Sequence, residues 1–227
     1  MHRISFLLAF VLACSSCGAT EEPATETESE SPTSGRDEPE HHGTRAAPPP
    51  ADGRAVAIFA GGCFWCMEGP FEAIDGVDAV LSGYAGGPER GPSYREVSSG
   101  STGHAEAVHV TFDPSVVSYE RLLDVFWHNV DPLDGGGQFC DRGHHYRTAI
   151  FPVDDAQRAA AQASKAQIEE QLGRRVATEL EQTAEFWIAE DYHQDFYRTN
   201  PAHYTRYRTG CGRDARLREV WGEAAGH

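Results

Sequence analysis

"GGCFWCMEGPF" at residues 61–71 sets two cysteines three apart, an aromatic pair between them and two glycines ahead of them. Just before it, "RAVAIFA" at 54–60 is short, apolar and closed by those glycines, which reads as a buried strand. The stretch from Cys63 to Ile74 reads as a helix entered directly from the glycines, and Pro70 inside it implies a kink or an early end. A cysteine in the first turn of a helix faces the positive end of the macrodipole and unpaired amides, which favour thiolate over thiol. Cys63 is therefore a candidate nucleophile. Gly61 and Gly62 permit the tight turn such an entry needs. The spacing alone leaves three readings open: a redox couple, half of a zinc site, or an inert disulfide with Phe64 and Trp65 as ordinary core.

Further along, "HAEAVHVTFDP" at 104–114 alternates as a strand that stops at Pro114. "SYERLLDVFWHNV" at 118–130 opens on a capping serine and puts Leu122, Leu123, Phe126 and Trp127 on one helical face. "YRTAIFPV" at 146–153 is another strand, and the Ala-, Gln- and Glu-rich run from Asp154 to Leu172 is a helix. Helices and strands alternate, so the class is α/β or α+β. The roughly 175 residues of this part suit one domain with a substantial core.

The N-terminal part differs in composition. A single arginine, Arg3, precedes an apolar run from Ile4 to Ala13. That run is far shorter than the ~20 residues a bilayer span takes and reads as a signal peptide over 1–13. "VLAC" at 11–14 resembles the cleavage box of bacterial lipoproteins, which makes Cys14 the expected site of lipidation. Residues 14–53 then form a Pro-, Glu-, Thr- and Ser-rich tether without hydrophobic periodicity, too polar to offset the entropy of ordering it. The chain is accordingly expected outside the cytoplasm, held to a membrane by its lipid. Of the net charge of −16, residues 21–52 carry −7 and Arg3 adds +1, leaving −10 on the domain from residue 53 onward. An acidic domain without a basic stripe argues against nucleic acid as a partner.

Five segments in order carry a resemblance: "GGCFWCMEGPF", "GYAGG" at 83–87, "PSYREVSSGSTGHAEAVHVTFDP" at 92–114, "FCDRGHHYRTAIF" at 139–151 and "AEDYHQDFY" at 189–197. Together they are similar to the A-type peptide methionine sulfoxide reductases, over roughly residues 54–205. The resemblance implies a two-layer α/β (α+β) sandwich with a mixed sheet and flanking helices around a ferredoxin-like core, its C-terminal segments wrapping that core. It implies that Cys63 attacks the sulfur of methionine sulfoxide, in proteins or as the free amino acid, with selectivity for the S epimer. Glu106 matches the acid that protonates the oxygen, and a raised pKa from burial suits that task. Tyr94 and Tyr146 match the tyrosines that hydrogen-bond the oxygen, and Asp141 matches a residue positioning those bonds. Phe64 and Trp65 match aromatic walls for the substrate methyl. No metal and no organic cofactor is implied.

The reaction leaves Cys63 as a sulfenic acid, which condenses with a nearby thiol. Cys66, one helical turn away, and Cys211 in the glycine-flanked "TGCGRD" are both candidates for that second step, and a thioredoxin-like donor would reduce the resulting disulfide. Cys140 reads as a small buried residue near the site, and His144 and His145 as ordinary loop or core histidines. Two competitors remain: a thioredoxin-like oxidoreductase, and a structural lipoprotein whose Cys63, Cys66, Cys140 and Cys211 hold zinc. The domain is expected to span residues 54–227.

Overall fold

The computed structural model describes residues 44–182 and 185–226. Strands β1 (Arg45–Ala46) and β2 (Ala55–Gly61) lead into helix α1 (Trp65–Glu72), and β3 (Val77–Ala85) and the short α2 (Tyr94–Ser98) follow. Next come β4 (Ala105–Phe112), α3 (Tyr119–His128), the two-residue strands β5 (Gly137–Gln138) and β6 (Asp141–Arg142), and β7 (Thr148–Phe151). Helix α4 (Asp155–Leu172), β8 (Glu179–Leu180) and β9 (Trp187–Ile188) precede the C-terminal helices α5 (Phe196–Thr199), α6 (Pro201–Gly210) and α7 (Arg213–Trp221).

The seven-stranded sheet runs β1-β9-β3-β4-β2-β7-β8. Its centre, β2–α1–β3–β4–α3–β7 with antiparallel neighbours in the order β3-β4-β2-β7, is a ferredoxin-like unit. The parallel pairing of β8 on β7 makes the sheet mixed. Alternation along β2 sorts its side chains: Ala57 and Phe59 join the main core, whereas Val56, Ile58 and Ala60 join a smaller cluster. Phe59 stacks on Phe71 of α1 and on Phe126 of α3, each at 5.2 Å between ring centres, so the central strand is clamped to both helices. Burying such an aromatic side chain contributes roughly 2 kcal/mol. Ser118 caps α3 as expected, and Asp154, read as the first residue of α4, is its cap; each accepts from a backbone N–H.

Two boundaries differ from the sequence reading. Helix α1 begins at Trp65 and ends at Glu72, shorter than Cys63–Ile74, with Pro70 inside it. The tether was expected to run to residue 53, yet Arg45 and Ala46 pair with Ile188 and Trp187, and the Ala47 N–H donates to the Phe186 carbonyl at 2.9 Å. Edge pairing is a backbone interaction and needs no apolar run, so composition does not announce it. The expected signal peptide, Cys14 and the tether up to residue 43 lie outside the described residues.

Candidate functional site

Strand β2 delivers the cysteine stretch to the end of the sheet. At Gly62 the backbone takes φ +79°, and a Cβ there would lie 2.5 Å from Gln138, so glycine is required on both counts. The turn leaves Cys63 two residues ahead of α1, its carbonyl accepting from the Cys66 N–H at 3.1 Å, while Cys66 sits in the first helical turn. Both thiols are free and buried, 5 % and 1 % exposed.

This placement corrects the expected charge. Burial, first, and the hydrogen bond it donates to Cys66 push the Cys63 thiol up. Accepting that bond draws Cys66 down against the opposing effect of burial, and Arg213 and Arg208 add to the lowering. Burial thus opposes the charged form of Cys63, which stands ahead of the helix rather than in its first turn.

Glu106 on β4 is 2 % exposed and accepts the Phe64 N–H at 3.1 Å. Desolvation pushes it up to about 8 against that hydrogen bond, and the neighbouring Asp141 and Cys66 charges raise it further, so it keeps its proton at neutral pH. Tyr94 opens α2, and Tyr146 ends the 3-10 turn His144–Tyr146. Both hydroxyls lie close enough to Glu106 and Cys63 for those groups to raise them. Burial pushes Tyr94 up to about 12 and raises Tyr146 as well, leaving both phenols as donors. Asp141 on β6 accepts from the Tyr207 hydroxyl, and burial raises its carboxyl. Among the described residues, those expected in the site gather about the Cys63–Cys66 stretch, whereas Cys211 is bonded elsewhere.

Cys211, the C-cap of α6, is bonded to Cys140, with 4.9 Å between Cα atoms. Cys140 is exposed rather than buried, since the β5–β6 hairpin turns it outward. The four-cysteine zinc arrangement does not form. Among the described residues the one close grouping with these thiols is Cys140, Asp141 and Cys211, whose two sulfurs are joined to each other, and Cys63 and Cys66 lie outside it.

Several participants were not foreseen. The Tyr207 hydroxyl donates to Asp141, and its presence opposes the upward push on the Cys63 thiol. Trp65 stacks face to face on Phe196 at 3.7 Å, with the edges of His203 and Tyr207 about it, so the C-terminal segment covers this wall. The Trp65 indole N–H donates to Nδ1 of His193 at 3.2 Å, and burial takes that imidazole down to about 4. Glu190 accepts from the Tyr84 hydroxyl at 2.9 Å and from the Tyr94 N–H at 2.8 Å, fixing the start of α2. The segment "AEDYHQDFY" held Glu190, His193 and Phe196 in view, but only partners distant in sequence reveal their use. His145, ringed against Tyr146 at 4.3 Å, is a packing histidine.

Residues 55–225 match the family described as peptide methionine sulfoxide reductase. The chain is 50% identical over 171 residues to the peptide methionine sulfoxide reductase MsrA of Bacillus subtilis (strain 168), covering 74% of this chain and 97% of that protein. It is also 50% identical over 169 residues to MsrA 2 of Rhizobium meliloti (strain 1021), covering 74% and 84%. Among solved structures it resembles reduced Mxr1 of Saccharomyces cerevisiae, with a TM-score of 0.62 and 28% identity over 70% of this chain and 90% of that one. Methionine sulfoxide reductase A of Corynebacterium diphtheriae is similar at TM-score 0.60 and 27% identity, covering 69% and 87%.

Proposed function

The chain belongs to the peptide methionine sulfoxide reductase family, and on that premise we propose the course of its reaction. It reduces methionine sulfoxide. Cys63 attacks the substrate sulfur, Glu106 gives its proton to the oxygen, and the Tyr94 and Tyr146 hydroxyls donate hydrogen bonds to that oxygen as charge builds on it. Methionine leaves and Cys63 becomes a sulfenic acid. Cys66, whose backbone N–H donates to the Cys63 carbonyl one turn away, then displaces water to form the Cys63–Cys66 disulfide. A thioredoxin-like dithiol restores both thiols.

The observation that carries this reading is a free thiol facing a buried carboxyl that stays protonated at neutral pH. A sulfoxide oxygen is a very poor leaving group without a proton, and this arrangement supplies one where the thiol attacks. The substrate class extends to oxidised methionines of envelope proteins and the free amino acid, in the S epimer. The reduced protein without external reductant should yield about one methionine per chain from the S-sulfoxide and none from the R-sulfoxide. Equal yields from both would remove the stereochemical part of the reading.

Export and lipidation at Cys14 complete the proposal, supported by the apolar run before "VLAC" and the polar stretch after it. In the native host the protein should partition into membranes, and Cys14→Ala should release it. A native N-terminus at Met1, found by mass spectrometry, would contradict export with processing.

A further inference from the structure

Residues 44–47 lie outside the stretch matched to the family, which begins at residue 55, yet they join two segments that lead into the site. The Thr44 hydroxyl donates to the Pro92 carbonyl at 2.7 Å. Arg45 and Ala46 pair with β9, and the Ala47 N–H donates to the Phe186 carbonyl at 2.9 Å. One short strap thus holds both a loop and a strand that are far apart in sequence. Gly91 turns the loop with φ +60°, a conformation that favours glycine, and packs beside Thr44. Arg90 closes the same corner, its guanidinium 5.3 Å above the Trp187 ring and its charge paired with Glu185 at 3.0 Å.

Both tied segments end on Tyr94. After the buried Pro92, Ser93 caps α2 in a reciprocal box with Glu96, its N–H donating to that carboxylate at 2.8 Å. The Tyr94 N–H then donates to Glu190 at 2.8 Å, and Glu190, which follows β9, accepts from the Tyr84 hydroxyl through its other oxygen. The backbone of Tyr94 is therefore held from two sides, through Pro92 and through β9. Strand β9 keeps its place in the sheet without the strap, since β3 pairs with it through Gly83 and Tyr84. What Thr44 adds is the bridge from that strand to the loop.

We propose that Thr44 and the strap it heads are positioning residues for the Tyr94 hydroxyl, supplied by a part of the chain that the family match leaves out. In the reaction this phenol donates to an oxygen that is gaining charge, and a donor stabilises that charge only where it already stands in place. A displacement of about 1 Å costs up to ~10²-fold in rate. Tyr94 opens a helix of five residues, too short to fix its own direction. That direction is set from outside, by Glu190 on one flank and Pro92 on the other. Tyr146 is held differently, its turn tied by Arg147, which donates to the His144 and Gly103 carbonyls at 3.1 and 3.2 Å. Loosening the strap therefore acts on one of the two phenols.

The test uses the full chain, reduced, in single turnover with the S-sulfoxide. Thr44→Val removes the hydroxyl and keeps the shape of the side chain. It should slow methionine formation about fivefold, the scale of one hydrogen bond, with the half-saturating substrate concentration unchanged, and Thr44→Ser should restore the rate. Ala47→Pro, which removes the N–H given to Phe186, should act in the same direction. In a Tyr94→Phe background, already without the hydroxyl, Thr44→Val should change the rate by less than about 1.5-fold. A strap that only stabilises the fold would slow both backgrounds alike. Equal slowing in both, or no slowing in the wild-type background, overturns the proposal. The inference rests on the reductase reading, and a measurement without substrate separates the two. Amide hydrogen exchange at Tyr94 should quicken about fivefold in Thr44→Val while that of β4 stays unchanged, and unaltered exchange at Tyr94 overturns the proposal. Failure of the wild type to reduce any sulfoxide would instead overturn the reductase reading and leave the exchange result standing.

Discussion

Cys63→Ser is expected to form no methionine at all, not even the single equivalent that a reduced protein gives without a donor. The serine oxygen is a weak nucleophile and, more fundamentally, cannot take up the substrate oxygen, so the two-electron reduction has no acceptor. Cys66 does not substitute, because Tyr94 and Tyr146 lie close enough to Cys63 and Glu106 to feel their charges, and neither is influenced in that way by Cys66. Serine is close to isosteric in a buried position, so the variant should fold. Methionine counted per mole of protein is the measurement, and a yield near one equivalent from Cys63→Ser would assign the attack to another thiol.

Glu106→Gln is expected to slow the reductive step by roughly 10²-fold or more, the range that general acid catalysis supplies. The amide still accepts the Phe64 N–H through its carbonyl oxygen but has no acidic proton to release. Wild-type rates should fall as pH rises through about 8, where Glu106 ionises, and the variant should lack that descending limb. The same carboxyl affects stability. Its pKa is raised on folding, from about 4.3 in an unfolded chain, so the native state binds more protons between these values. Native stability therefore falls as pH rises from about 4 to 8, and below that window the penalty is absent. Glu106→Gln removes it, for a gain of order a few kcal/mol at pH 8 and little at pH 4. An unchanged single-turnover rate, or a melting temperature no higher than wild type at pH 8, would show that the buried proton donor lies elsewhere.

What composition and spacing reveal follows from how local the causes are. Strand β2, strand β4, and helices α3 and α4 announce themselves because apolar period, serine or aspartate caps and glycine or proline stops act within a few residues. Strand β3 is harder to see. Gly83 interrupts its pattern because a Cβ there would meet the Trp187 carbonyl at 2.3 Å, a demand set by β9 more than a hundred residues later. The two-residue strands β1, β8 and β9 exist only through their neighbours.

The site divides the same way. Cys63, Glu106, Tyr94, Tyr146 and Asp141 stand in contiguous motifs, whereas Tyr207 and Arg213 belong to a helical tail whose first long helix, α6, buries none of its residues and so shows no apolar face. Nothing local distinguishes an arginine destined for burial from a solvated one. Cysteine pairing is likewise a property of the folded chain: six cysteines allow fifteen full pairings, and proximity decides among them.

The Cys140–Cys211 bond joins residues 71 apart and so encircles about a third of the chain. In a denatured chain such a closed loop forbids most end-to-end separations, a restriction of about 4 kcal/mol in the chain-entropy account. That cross-link is also a dithiol couple, open to the medium at Cys140. The margin by which this fold survives is consequently a function of the surrounding reduction potential: oxidising surroundings, which generate its substrate, also brace the molecule that repairs the damage, and reducing ones relax it.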